Sequence, residues 1–202
     1  MGNDNIDILH DHYKDSCSLA GSYRSARDRY FYFILAVFGV VLFDLYAPKD
    51  FSRITSELAQ KKFELSVAFD LHYLKSIAWF LLLGVTIRYC QVALLLERQY
   101  TYIHGLEEIL AGHFRPPAFT REGKAYLAEY PGFSTWAHYL YTLVFPLGLV
   151  ALVVYRTVRE LPCCRRWAGL DWFDLIVTVA ICVSVVLYLF AFHQRPTRRK
   201  SH

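Results

Sequence analysis

Little in this sequence can carry covalent or redox chemistry. Its five cysteines, Cys17, Cys90, Cys163, Cys164 and Cys182, contain no CxxC pair and no zinc spacing, which excludes the common zinc modules and the dithiol redox motif. Odd in number and scattered, they are not expected to form a disulfide framework, and two lie in apolar runs, where a thiol acts as a small hydrophobe. The adjacent Cys163 and Cys164 read as plain loop, because sequence neighbours rarely meet disulfide geometry; a redox, metal or acylation site is the alternative. GxSxG, HExxH, P-loop and paired-glycine dinucleotide patterns are missing, so no nucleophile elbow or phosphate cradle is expected. The net charge is only +4, and the basic residues flank apolar blocks instead of forming one stripe, which argues against a nucleic-acid partner. The first 29 residues carry Asp4, Asp7, Asp11 and Asp15 before any apolar run, unlike a secretory signal with its basic start. The N-terminus is therefore expected to belong to the mature protein. No internal repeat or low-complexity linker interrupts the chain.

What the chain has in excess is apolar and aromatic residues, 55% and 17% of its 202 positions. A soluble norm reaches only about half apolar even with glycine counted. The excess falls in four blocks, about 30–47, 71–96, 136–155 and 172–192, each near the ~20 residues a spanning helix needs. Lipid offers backbone groups no hydrogen bonds, so these blocks are expected to be helices. Tyr30, Tyr46, Trp136, Tyr155, Trp172 and Phe192 sit where blocks meet their flanks, as interfacial rings do. Pro48 stops the first block, and Pro146 is expected to kink the third because its ring removes a donor and crowds the preceding turn.

An even number of spans puts both termini on one side. That side holds twelve basic residues: Lys14, Arg24, Arg27, Arg29, Arg98, Arg115, Arg121, Lys124, Arg195, Arg198, Arg199 and Lys200. The other holds nine: Lys49, Arg53, Lys61, Lys62, Lys75, Arg156, Arg159, Arg165 and Arg166. The majority, and the Arg24, Arg27, Arg29 cluster before the first span, place the termini inside under the positive-inside rule.

Between the spans, Phe63, Leu65, Val67, Phe69, Leu71 and Tyr73 alternate with mostly polar neighbours, a strand pattern. A lone strand lacks a ladder partner, and an interfacial helix is the equal alternative for this outer segment. The second span is expected to run unbroken to about Ala111. Thr120 can then cap a short helix over 121–130 before 131–134 turns the chain back. Ahead of the first span, Ile6, Leu9, Tyr13, Cys17, Ala20 and Tyr23 recur at helical spacing, an amphipathic stem that needs a partner surface.

Arg88 lies thirteen residues past Lys75, about 20 Å along a helix, which leaves roughly 10 Å of a ~30 Å core. An arginine stem spans much of that gap, so snorkelling to the inner boundary is the economical reading. The competing reading places Arg88 and Gln91 in a bundle interior or pore. Depth puts Asp44 and Asp174 nearer Lys75 than Arg88, which predicts an outer cluster of Asp44, Lys75 and Asp174. The apolar run after Gln91 either keeps the membrane going to Leu96, leaving Arg88 in its middle, or emerges to pack on cytosolic helices, which is the favoured expectation. Leu95, Arg98, Tyr102 and Leu106 form one stripe with Ile103 and Leu110 beside it. Leu95, Tyr102, Leu106 and Glu107 are the candidate assembly surface. Glu107, Glu108 and Glu122 read as solvated acids. His10 and His12 point about 200° apart on a helix and cannot share a metal. His104, His113, His138 and His193 read as ordinary boundary residues. No cofactor or metal is expected.

The second span with Trp79, Tyr89 and Gln91, followed by "YTYIHGLEEIL", together with the entry "SARDRYFYF", resembles the RipA-like family of small octameric bacterial membrane proteins. The likeness covers about 13–110. It implies a bacterial inner-membrane oligomer without enzymatic activity and supplies no catalytic residue. Two further spans after Pro131 depart from the family pattern, so its oligomer number is not carried over. Small multi-pass chains of this style also resemble membrane effectors of bacterial anti-phage systems, in architecture alone.

The expected fold is thus all-α, a multi-pass membrane protein with four transmembrane helices, the second extending into a small cytosolic helical layer. Its expected organisation is an amphipathic N-terminal helix over 1–29, a transmembrane domain over 30–192 with a cytosolic helical segment at 97–135, and a basic tail over 193–202. The expected function is a non-enzymatic inner-membrane oligomer acting as a signal-responsive pore or effector. The expected partners are membrane lipid, further copies of the chain and a soluble protein. Two alternatives stand: a membrane anchor or scaffold for that soluble partner, and an enzyme or transporter built on His138, Asp174 or the Cys163–Cys164 pair.

Overall fold

The computed structural model describes residues 3–63, 71–112, 136–137, 139–160 and 169–193. Among these residues there is no strand. The helices are α1 (Asn3–Tyr46), α2 (Pro48–Phe63), α3 (Leu71–Ala111), α4 (Phe145–Glu160) and α5 (Gly169–His193). A single π-helical stretch, Leu140–Val144, leads into α4. Among the described residues, four helical stretches are long and apolar enough to cross a membrane: α1, α3, Leu140–Arg159 and α5.

The amphipathic stem and the first apolar block are one rod, since α1 runs through both without a break. No proline interrupts it before Pro48, which opens α2, where its missing N–H costs nothing. The strand pattern over 63–73 gives way at both ends: Phe63 closes α2 and Leu71 opens α3. Polar neighbours do not prevent a helix there, because i, i+3 and i, i+4 spacing also occurs within that composition. Residues 64–70, the capped helix expected over 121–130, His113, His138 and the Cys163–Cys164 pair lie outside the described residues. The second span does continue unbroken to Ala111.

Pro146 makes itself felt one turn upstream. The Phe145 N–H bonds the Leu140 carbonyl, five residues back, instead of the usual four. A proline cannot donate and its ring crowds the carbonyl four residues before it; widening the turn to a π stretch relieves that crowding. Pro146 itself is fully buried.

The chain divides into two compact units. One comprises 30–88 and 148–187. Its core is one stripe from each long helix: Phe31, Ile34 and Val41 from α1, Trp79, Leu82 and Thr86 from α3, Leu149, Val153 and Arg156 from α4, and Val177, Ile181 and Val185 from α5. Within each helix these positions recur at three- and four-residue steps, so the side chains stack on one face. The opposite faces are also apolar: Val183, Val186 and Leu187 of α5 and Ile77, Phe80 and Leu81 of α3 are exposed. A chain folded in water rarely leaves so large a contiguous apolar surface.

The other unit comprises 1–29, 89–147 and 188–202. Here the first part of α1 packs on the last part of α3 around Ala20, Leu96 and Ile103, with Tyr13, Cys17, Tyr23 and Tyr100 against them. Polar side chains fasten the pair at each turn. Tyr13 donates its hydroxyl to Glu107 at 3.1 Å, Gln99 Nε2 donates to the Ser16 carbonyl at 3.2 Å, and Arg24 donates to the Tyr100 hydroxyl. His12 Nε2 lies 2.7 Å from the Tyr102 hydroxyl.

Candidate functional site

Polar groups gather at one end of the first unit, where α1 and α4 finish and α3 and α5 begin. Four charges that are not exposed stand there, one from each helix: Asp44, Lys75, Arg156 and Asp174, whereas Arg159 of α4 is exposed and donates to the Leu45 carbonyl at 3.3 Å. Two of the four are negative and two positive, so this less exposed set cancels, a condition that lets charges persist in an apolar surround. Lys75 Nζ lies 2.8 Å from Asp44 Oδ1, with side chains 26% and 14% exposed. The contact is ionic and short without being a well-directed hydrogen bond. Lys75 also sits 5.9 Å from the centre of the Phe51 ring of α2.

Arg156 is the most deeply placed of the four charges. It is 5% exposed and its guanidinium lies 4.2 Å over the ring of Trp79, itself 1% exposed. The indole face attracts the cation, more strongly where water is excluded. Trp79 is in turn held by its edge, since its Nε1–H donates to Thr178 Oγ1 at 3.1 Å. Thr178 and Thr157 hydroxyls are 3.0 Å apart, and Thr157 donates to the Val153 carbonyl at 2.9 Å. Each threonine has one proton. Thr157 spends its own on Val153, so Thr178 is the donor between the two. The chain of donation therefore runs in one direction, from α3 through α5 to α4. It fixes the rotation of three helices about their axes, and the Trp79 face is presented to Arg156 as a result. Ser76, one turn before Trp79, is buried with no hydrogen bond on its Oγ.

Of the outer cluster expected from depth, Asp44 and Lys75 meet directly. Asp174 is half-buried in the same unit, one turn before Thr178 on α5. Arg156, expected on the same side as Lys75, lies at the Lys75 end of the unit and is buried in its core. The signal for this was in the spacing, because position 156 continues the stripe of Leu149 and Val153. Trp79 and the two threonines gave no sign from sequence, as hydroxyls in spans commonly bond their own helix. Arg88 and Gln91 are both exposed on α3, where the residues beside them, Tyr89 and Cys90, are buried.

The candidate assembly surface divides. Leu95 and Tyr102 are exposed, whereas Leu106 and Glu107 are buried with Ile103 and Leu110. Residues 95, 102 and 106 fall within about 40° of one another at 100° per residue, so periodicity alone does not separate them; the stripe that packs on α1 centres on Leu96 and Ile103, and of the three Leu106 lies nearest to it. Glu107 is thus a buried acceptor and not a solvated acid. Burial, followed by the Cys17 thiol and the Glu107 carboxylate, pushes the Tyr13 phenol above its ordinary range.

Among the described residues, no group of three or more histidine, cysteine or acidic side chains could hold a metal ion. Cys17, Cys90 and Cys182 are not joined in disulfides. No protein-family model matches the chain, and neither a curated protein nor a solved structure does.

Proposed function

We propose that this chain is a non-enzymatic, multi-pass protein of the bacterial inner membrane that works as an oligomer with its termini in the cytoplasm. Its α1–α3 stem passes a signal into the spanning bundle, which responds as a pore or as an effector that disturbs the bilayer. The single observation carrying this reading is the length of the two rods. α1 has 44 residues and α3 has 41, about 66 Å and 62 Å at 1.5 Å per residue. Each is roughly twice the ~30 Å hydrocarbon core. The stem and the apolar block therefore belong to one continuous helix in each case, which supports a signal passing from one to the other.

Mass measurement in mild detergent tests assembly: a particle that stays monomeric at high concentration overturns the oligomer. Ion leakage from liposomes tests the pore. Arg88→Leu and Gln91→Leu should alter it, and Arg88→Lys should leave it nearly normal if the side chain snorkels. A second reading, an anchor for a soluble protein, is favoured by Ile8 and Leu19, which are exposed on the stem. Deleting residues 1–20 should then abolish recovery of the partner while leaving the membrane assembly intact.

A further inference from the structure

Helix α2 carries an apolar stripe longer than the surface it packs on. At 100° per residue, Phe51, Ile54 and Leu58 fall within about 60° of arc. Phe51 is half-buried and meets Phe43 of α1 edge-on at 5.8 Å. One and two turns further on, Ile54 and Leu58 are 41% and 56% exposed. The stripe therefore docks at its first residue and then leaves the bundle still apolar. Lys49 and Arg53 project from the far side, and Lys61 flanks the stripe; all three are exposed. The helix starts directly after the end of a candidate spanning helix, with Ala47 alone between them, so its first turn stands at the level where hydrocarbon gives way to headgroups.

We propose that α2 lies along the bilayer surface and recognises anionic phospholipid, with Ile54 and Leu58 at the headgroup–acyl boundary and Lys49, Arg53 and Lys61 against the phosphates. An interfacial helix needs these three features together: an apolar stripe, a basic polar side and a position at the boundary. Arg53 lies 3.3 Å from Asp50 of the same helix, yet with four basic residues against Asp50 and Glu57 the helix keeps a positive excess, which a second copy covering the stripe would leave unanswered. Lipid explains both faces. The proposal rests on the membrane reading above. It adds that the lipid holds α2 in place, and with it the Phe51 ring that faces Lys75.

The test uses the full chain in vesicles of equimolar phosphatidylcholine and phosphatidylglycerol, with a photo-crosslinking phenylalanine analogue at position 58, 57 or 186. Val186 is exposed on α5 and reports on bilayer insertion itself. The expected result is lipid adducts at 186 and 58, few at 57, and a phosphatidylglycerol-to-phosphatidylcholine adduct ratio at 58 above unity. That ratio should fall to unity in the Lys49→Gln, Arg53→Gln, Lys61→Gln variant. Protein-to-protein adducts at 58, equal lipid labelling at 57 and 58, or a ratio of unity in the native sequence would each overturn the proposal while lipid adducts at 186 keep the membrane reading. Absence of lipid adducts at 186 as well would overturn both.

Discussion

Removing the Trp79 ring and the Arg156 charge together should cost less than the two separate losses combined. At 4.2 Å the cation is well inside the range of the ring's attraction, and both partners are almost wholly buried. Exposed pairs of this kind contribute about 0.5–1 kcal/mol and desolvated ones about 2 kcal/mol, so a coupling near 2 kcal/mol is expected. The cycle compares Trp79→Leu, Arg156→Met and the double variant by equilibrium unfolding in mixed micelles of mild detergent and dodecyl sulfate. A parallel cycle of Trp79→Leu with Thr178→Val isolates the hydrogen bond. That coupling should be nearer 0.6 kcal/mol, the average for side-chain bonds inside membrane proteins. Independent sites add to within about 0.3–0.5 kcal/mol. A Trp79–Arg156 coupling inside that band would refute the claim that the ring holds the cation, and with it the account of why Arg156 is buried.

Asp44→Asn should destabilise the protein by less than the ~3–5 kcal/mol of a fully buried broken pair, because Lys75 keeps 26% exposure; adding Lys75→Met should recover most of the loss in the same unfolding assay. Tyr13→Phe should cost about 0.5–1.5 kcal/mol, the net value of one hydrogen bond, read as faster amide exchange in the first turns of α1. Because folding raises the Tyr13 pKa, its contribution is complete below the unfolded value near pH 10 and is lost as pH rises above it. The native chain should therefore lose melting temperature more steeply above about pH 10 than the Tyr13→Phe variant. Pro146→Ala should let the π stretch revert to α-helical bonding, seen as a shift of the Phe145 amide bond from Leu140 to Tyr141.

Much of the architecture was legible along the chain because it rests on local properties. Four apolar blocks, the run of α3 to Ala111 and the meeting of Asp44 with Lys75 follow from length, helical rise and the cost of polar backbone in hydrocarbon. The irregularity before Pro146 was legible for the same reason, since the proline acts on its own preceding turn. The outer segment was ambiguous: Phe63, Leu71 and Tyr73 satisfy a period of two, yet each belongs to a helix. Short apolar patterns are compatible with both periods, and neighbours decide between them.

The sequence by itself determined that four helices of spanning length would form, that the second would run on to Ala111, and that Asp44 and Lys75 would meet. Only the tertiary structure decided which side chains answer one another. Trp79 and Thr178 are 99 positions apart, and Tyr13 and Glu107 are 94 apart. Periodicity marks the face a residue lies on but not the partner that will cover it. The burial of Arg156 on an indole and the turning of Glu107 inward depend on helices brought together from distant parts of the chain, where excluded water makes each polar contact worth keeping.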